Sequence, residues 1–98
     1  METYLVLRRS GWATDEEFHT AAARSRAVCE EQLAENVRWV RSYVLDEPWA
    51  RTGSICVYEA PSPEAIRRHA RLADLPVDEI VVVNGTVIEQ ADPETARA

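Results

Sequence analysis

The chain holds only two histidines, His19 and His69, and only one of them sits where chemistry could be built around it. In the stretch ICVYEAPSPEAIRRHA, residues 55–70, a strand pattern carrying Cys56, Tyr58 and Glu59 gives way to a helical pattern that reaches His69. At ~100° per residue, Ile66, Ala70 and Ala73 fall on one side of His69 and Ala65 and Leu72 on the other. The imidazole therefore stands in the middle of an apolar stripe. Two readings follow. His69 is a core residue satisfied by a carbonyl or by a hydroxyl such as Ser42 or Tyr58. Alternatively it lines a cleft between helices and sheet, where Ala22, Ser25, Ala70 and Ala73 leave room for a ligand. The second reading is the expectation carried forward.

Glu59 shares strand parity with Ile55 and Val57. A carboxylate there is either solvated or paired with an arginine such as Arg41; buried within reach of His69, it would complete a general base and orienter pair. His69 and Glu59 are thus the candidate catalytic residues. Candidate ligand-binding residues are Trp39, Ser42, Tyr43 and Tyr58, with Trp12 and Trp49 at the mouth of the cleft. The two tyrosines also serve as packing residues whose hydroxyls need partners.

Other chemistries find less support. Nickel and zinc favour imidazole and thiolate donors, and the sequence shows neither H-x-x-x-H nor C-x-x-C spacing. A metal site would have to combine residues across two copies or use carboxylates such as Asp46 and Glu47. Cys29 and Cys56 read as two buried free thiols of a reducing compartment. There is no Gly-rich phosphate loop and no serine–histidine–acid arrangement. The net charge of -6 disfavours nucleic acid as a partner, since phosphate backbones demand a clustered basic surface. Arg67, Arg68 and Arg71 cluster, but Glu64 and Asp74 beside them make a solvated helix face. No apolar run approaches a membrane span, and METYLVLRRSGW lacks the pattern of a secretory leader. The expected location is cytoplasmic.

The elements that must position these residues follow from periodicity. TYLVLRR, 3–9, reads as a strand ended by Ser10-Gly11. Thr14 and Glu17 form a capping box, and the helix after it carries Phe18, Ala22, Ser25, Cys29 and Leu33 on one face. Strands follow at 37–45 and 54–60, joined by the long loop DEPWARTG. Ser62 caps a second helix with Pro63 in its first position; that helix runs to about Leu72. A last strand covers 79–88, with Asn84-Gly85 as a point where it could break. The domain spans 3–88, and residues 89–98 form a polar tail. This β-α-β-β-α-β order is the split pattern of an α+β ferredoxin-like fold, an antiparallel sheet with two helices on one face. Alternation assigns Trp39, Arg41 and Tyr43 to the open face of the second strand, and Val40, Ser42 and Val44 to the helix side. Three large amphipathic side chains are costly to leave wet, which predicts that a second copy or a ligand covers them; a homodimer closed face to face is the favoured expectation.

WVRSYV (39–44), CVYEAPSPEAIRRHA (56–70) and LPVDEI (75–80), in this order, resemble a family of small bacterial proteins, a domain of unknown function often labelled nickel-binding. The resemblance implies a dimeric ferredoxin-like fold and nickel as the possible cofactor. The chain departs from the family pattern Y-x-V-E-R, since Leu7 stands where a glutamate is usual. The expected function is a small-ligand or divalent-metal (nickel-type) binding protein with a cleft between sheet and helices, any nickel being weakly held. The alternative is a cofactor-independent enzyme, of cyclase, isomerase or oxygenase type, acting on a small organic substrate in specialised metabolism.

Overall fold

The structure, a computed structural model, describes residues 1–31 and 37–92. Its elements are β1 (Glu2–Trp12), α1 (Asp15–Glu31), β2 (Arg38–Glu47), β3 (Arg51–Ala60), α2 (Pro63–Ala73) and β4 (Glu79–Val82). The four strands form one antiparallel sheet in the order β2-β3-β1-β4, which is the ferredoxin-like arrangement expected from the sequence. No helix among the described residues is long and apolar enough to cross a membrane.

The helix ends form as their capping residues dictate. Thr14 Oγ1 accepts from the amide of Glu17, and the Glu17 carboxylate accepts from the amide of Ala13. Ser62 accepts from the amide of Ala65 at the start of α2, and Pro63 follows where its missing N–H costs nothing. Asp74, at φ 55°, closes α2 in the left-handed region. The Arg24 guanidinium of α1 donates to the carbonyls of Ala73 and Asp74, so a cation sits where the helix dipole favours one.

Several boundaries differ from expectation. β1 does not stop at Ser10-Gly11; it continues to Trp12 through an irregularity between Arg8 and Trp12. β2 and β3 extend toward each other until only Pro48–Ala50 separates them. The amide of Arg51 donates to the carbonyl of Pro48 across Trp49 and Ala50, both at positive φ, the handedness that fits a tight antiparallel hairpin. β4 ends at Val82. Residues beyond it run across the open face of the sheet, where Asp92 accepts from Arg41 at 2.5 Å and from the Tyr43 hydroxyl at 3.1 Å. Leu33 and residues 93–98 of the expected tail lie outside the described residues.

The largest correction concerns β2. Trp39 pairs with Tyr58 and Arg41 with Val57, leaving Val40 as an extra residue in a β-bulge. The bulge resets the alternation. Trp39 therefore shares the helix side with Ser42, to which its indole N–H donates at 2.8 Å, while Arg41 and Tyr43 face the other way. Strict alternation put all three on the open face; the inserted residue is why that fails.

Two apolar clusters fill the space between sheet and helices. One gathers Tyr4, Val6, Cys56, Tyr58, Ala60, Ala65 and Ile66. The other joins Trp12, Phe18 and Ala21, with the Trp12 and Phe18 rings edge to face at 5.0 Å. Buried with them are polar residues, among them Arg8, Ser25, Ser54 and His69.

Candidate functional site

The site is built where the two clusters meet. Alternation along β1 places Tyr4, Val6 and Arg8 on the helix side, and all three are buried. Arg8 is 1% exposed, and its Nε, Nη1 and Nη2 have no hydrogen-bond partner. A buried unpaired charge is among the most costly groups a fold can carry. The face of the Tyr58 ring, with its centroid 5.8 Å from Arg8 Cζ, offsets only part of that cost.

Arg8 lines a cavity together with Trp12, Phe18, Ser25, Trp39 and Tyr58. The cavity is tight, about 10 Å³, room for one water-sized group. Its α1 wall is made of Phe18, Ala21, Ala22 and Ser25. Trp39, with the Arg26 guanidinium 5.4 Å from its ring centroid, also lines an outer groove of about 530 Å³ between α1 and β2. One indole is the shared wall of both spaces.

His69 enters through a hydrogen-bonded chain. Its Nε2 lies 2.9 Å from Ser25 Oγ, which lies 3.2 Å from Tyr58 Oη; on the other side Nδ1 lies 3.8 Å from Cys29 Sγ. Ser25 has one proton to give, and when it gives it within the chain, the chain runs in one of two directions. In the first, Cys29 donates to His69, His69 to Ser25 and Ser25 to Tyr58, leaving the Tyr58 O–H free for the cavity. In the second every donor reverses. Burial, reinforced by the nearby Arg8 charge, pushes His69 down to about 4, so the ring is neutral near pH 7. Burial raises the Cys29 thiol above its ordinary value, and the backbone N–H of Trp39 only partly opposes it. Burial likewise raises Tyr58, against the pull of Arg8.

The candidate residues divide. His69, Ser42, Tyr58, Trp39 and Trp12 gather on the helix side of the sheet. Glu59 does not join them. It lies on the open face with Val57 and pairs with Arg38 across β2, so no imidazole–carboxylate pair forms, and its arginine partner is Arg38 rather than Arg41. Tyr43 also faces away from the cavity. Trp49 stands at the hairpin tip, 93% exposed, because the short turn projects it into solvent rather than over the cavity. Arg8 is the residue that sequence reasoning passed over. The signal was present: it shares parity with Tyr4 and Val6, which puts a charge on the packed face.

A metal finds few donors here. Among the described residues no three His, Cys, Asp or Glu side chains gather closely enough to hold an ion. Cys29 and His69 are adjacent, but they offer two donors beside a buried guanidinium, which repels a cation. The residues present do not fit an internal nickel centre.

Comparison with known proteins places this geometry in context. No curated protein matches the chain. The crystal structure of SCO4226 from Streptomyces coelicolor A3(2) is similar, with a TM-score of 0.68 and 27% sequence identity over 87% of this chain and 99% of that one. The family described as nickel responsive protein SCO4226-like matches residues 4–83. With the match running from the strand that carries Arg8 past the end of β4, the chain belongs to the SCO4226-like family of nickel responsive proteins.

Proposed function

We propose that this chain is a small-molecule binding protein whose site is the cavity between α1, α2 and the sheet. The observation that carries the reading is the hydrogen-bonded chain from Cys29 through His69 and Ser25 to Tyr58, which ends at a cavity whose walls include Arg8 and the apolar side chains of Trp12, Phe18, Ala22 and Trp39. A few polar groups converging among apolar walls is the usual chemistry of a ligand site. An occupant wider than a water must part α1 from the sheet, and beside Phe18 the α1 residues that meet the cavity, Ala21, Ala22 and Ser25, are small. Among the described residues Cys29 and His69 are the adjacent soft donors beside the cavity, and a nickel ion there would need further donors from a second copy or from the ligand. The enzyme reading is weaker: Glu59 is on the opposite face, and an imidazole titrating at about 4 is a poor general base at neutral pH.

The test uses benzyl alcohol as a neutral aromatic probe, followed by tryptophan fluorescence from Trp12 and Trp39. A saturable change is expected, lost in Ala22→Leu, which fills the cavity, while circular dichroism stays unchanged. The absence of a saturable response, or an undiminished one in Ala22→Leu, would overturn the reading.

Dimerisation through the open sheet face is part of the proposal. Tyr43 and Val81 on that face are exposed, and so are Val87 and Ile88 of the segment that crosses it. A second copy would cover these side chains together.

A further inference from the structure

Resting on the small-molecule reading of the cavity, we infer that its occupant is a monovalent anion: the carboxylate of a small apolar acid, with its head group on the Arg8 guanidinium and its body toward the Trp39 groove. Three nitrogens of Arg8 are buried without a hydrogen-bond partner, and the side chain borders the cavity. A fold that keeps such a group has not satisfied it internally. Water could occupy one nitrogen but would leave the charge uncompensated, whereas a carboxylate matches the planar fork of an arginine in both shape and sign. A metal cation is disfavoured by the same charge.

The neighbouring donors agree. With Cys29 protonated, its S–H can donate to His69 Nδ1, His69 Nε2–H to Ser25, and the Ser25 hydroxyl to Tyr58 Oη. The Tyr58 O–H is then left to donate into the cavity. In that arrangement the Tyr58 proton is available to an acceptor beside Arg8. As it stands the inner cavity of about 10 Å³ holds one water-sized group, so the carboxylate enters as α1 parts from the sheet. The groove of about 530 Å³ behind Trp39 suits an apolar body, reached when the indole swings aside. An aromatic or branched aliphatic acid is the class of molecule that fits both.

The experiment compares sodium benzoate, benzyl alcohol and sodium chloride at matched ionic strength, by tryptophan fluorescence and thermal shift on the full chain. Benzoate should bind saturably and about 10- to 100-fold more tightly than benzyl alcohol, the range that charge-assisted hydrogen bonds span. Arg8→Met should erase that preference. If benzoate and the alcohol bind alike, or Arg8→Met keeps the preference, the anion inference falls and the small-molecule reading stands. If chloride saturates the same response at comparable concentration, the site takes a free inorganic anion and the organic-acid assignment is wrong. If none of the three perturbs the protein, both readings fall. Should Arg8→Met fail to fold, the ratio of benzoate to alcohol in the unmodified chain still decides.

Discussion

Ser25 Oγ and His69 Nε2 lie 2.9 Å apart and join α1 to α2 inside the core. This bond holds a neutral imidazole, and neutrality has a pH cost. Unfolded, His69 titrates near 6.5; folded, at about 4. The unfolded chain therefore takes up the proton first, so the contribution to stability is complete above about pH 6.5 and is lost as pH falls toward 4. Its ceiling is about 3 kcal/mol. Urea midpoints at about pH 7.5 and about pH 4.5 should show His69→Leu tolerated at the higher pH and favoured over the parent at the lower. A parent–variant difference that stays constant with pH would show that the imidazole is not held neutral.

Nickel should bind poorly. Calorimetry at neutral pH is expected to give an affinity of about 10 μM or weaker, because two donors leave most of the coordination sphere to water, and Cys29→Ser should reduce it further. A tight, stoichiometric site in the isolated chain would contradict the donor geometry.

Glu59→Gln separates the two sheet faces. Glu59 and Arg38 form a largely exposed pair, and such pairs contribute about 1 kcal/mol or less. The melting temperature should barely change, and benzyl alcohol binding should be untouched. Loss of binding in this variant would mean that Glu59 reaches the site after all.

Gly53→Ala should be costly at a position without any role in the cavity. A Cβ there would collide with Glu47 Oε1 and lie 2.8 Å from the carbonyl oxygen of Arg8. Glu47 cannot easily yield, since Arg9 holds it through two bonds and depresses its pKa. A loss of about 1–3 kcal/mol is expected, read from urea denaturation; an unchanged midpoint would show that the hairpin relaxes freely.

Light scattering with size exclusion should return about twice the 11.1 kDa chain mass. Asp92→Ala, which releases the segment from Arg41 and Tyr43, should weaken the dimer if that segment belongs to the interface. A clean monomer at micromolar concentration would remove the face-to-face arrangement.

The fold was legible because its signals are local. Thr14, Glu17, Ser62 and Pro63 announce helix starts through their own hydrogen bonds, and alternation in β1 and β3 matches the observed burial. The site was legible only in half. His69 declared itself by breaking an apolar stripe, and Ser25 by its place on the facing helix. The rest depended on parity. Trp39 was assigned to the wrong face because a bulge is invisible to a rule that assumes regular alternation. Glu59 could be coupled to His69 on paper only while its face was unknown, whereas alternation placed Tyr43 on the open face, where the structure has it. Trp49 looked like part of a long loop because strand extension into a three-residue turn depends on positive φ at Trp49 and Ala50, which neither residue type favours. Arg8 escaped notice because an arginine near a strand end is ordinarily solvated, and its burial comes from tertiary packing, with Tyr58 of β3 under its guanidinium.

Val40 is one residue more than the sheet needs, and its role resembles that of a dislocation in a crystal lattice. Deleting it would leave Trp39 and Arg41 adjacent and still pointing to opposite sides, so the defect itself holds neither in place. Moving it would matter. A glide of one step toward the N-terminus would put Val40 in the cavity wall and expel the indole; a glide the other way would take Arg41 out of regular pairing. Each step exchanges a single side chain without changing composition. Relatives that differ in where this surplus residue falls would present different walls to a ligand, even with every residue type retained.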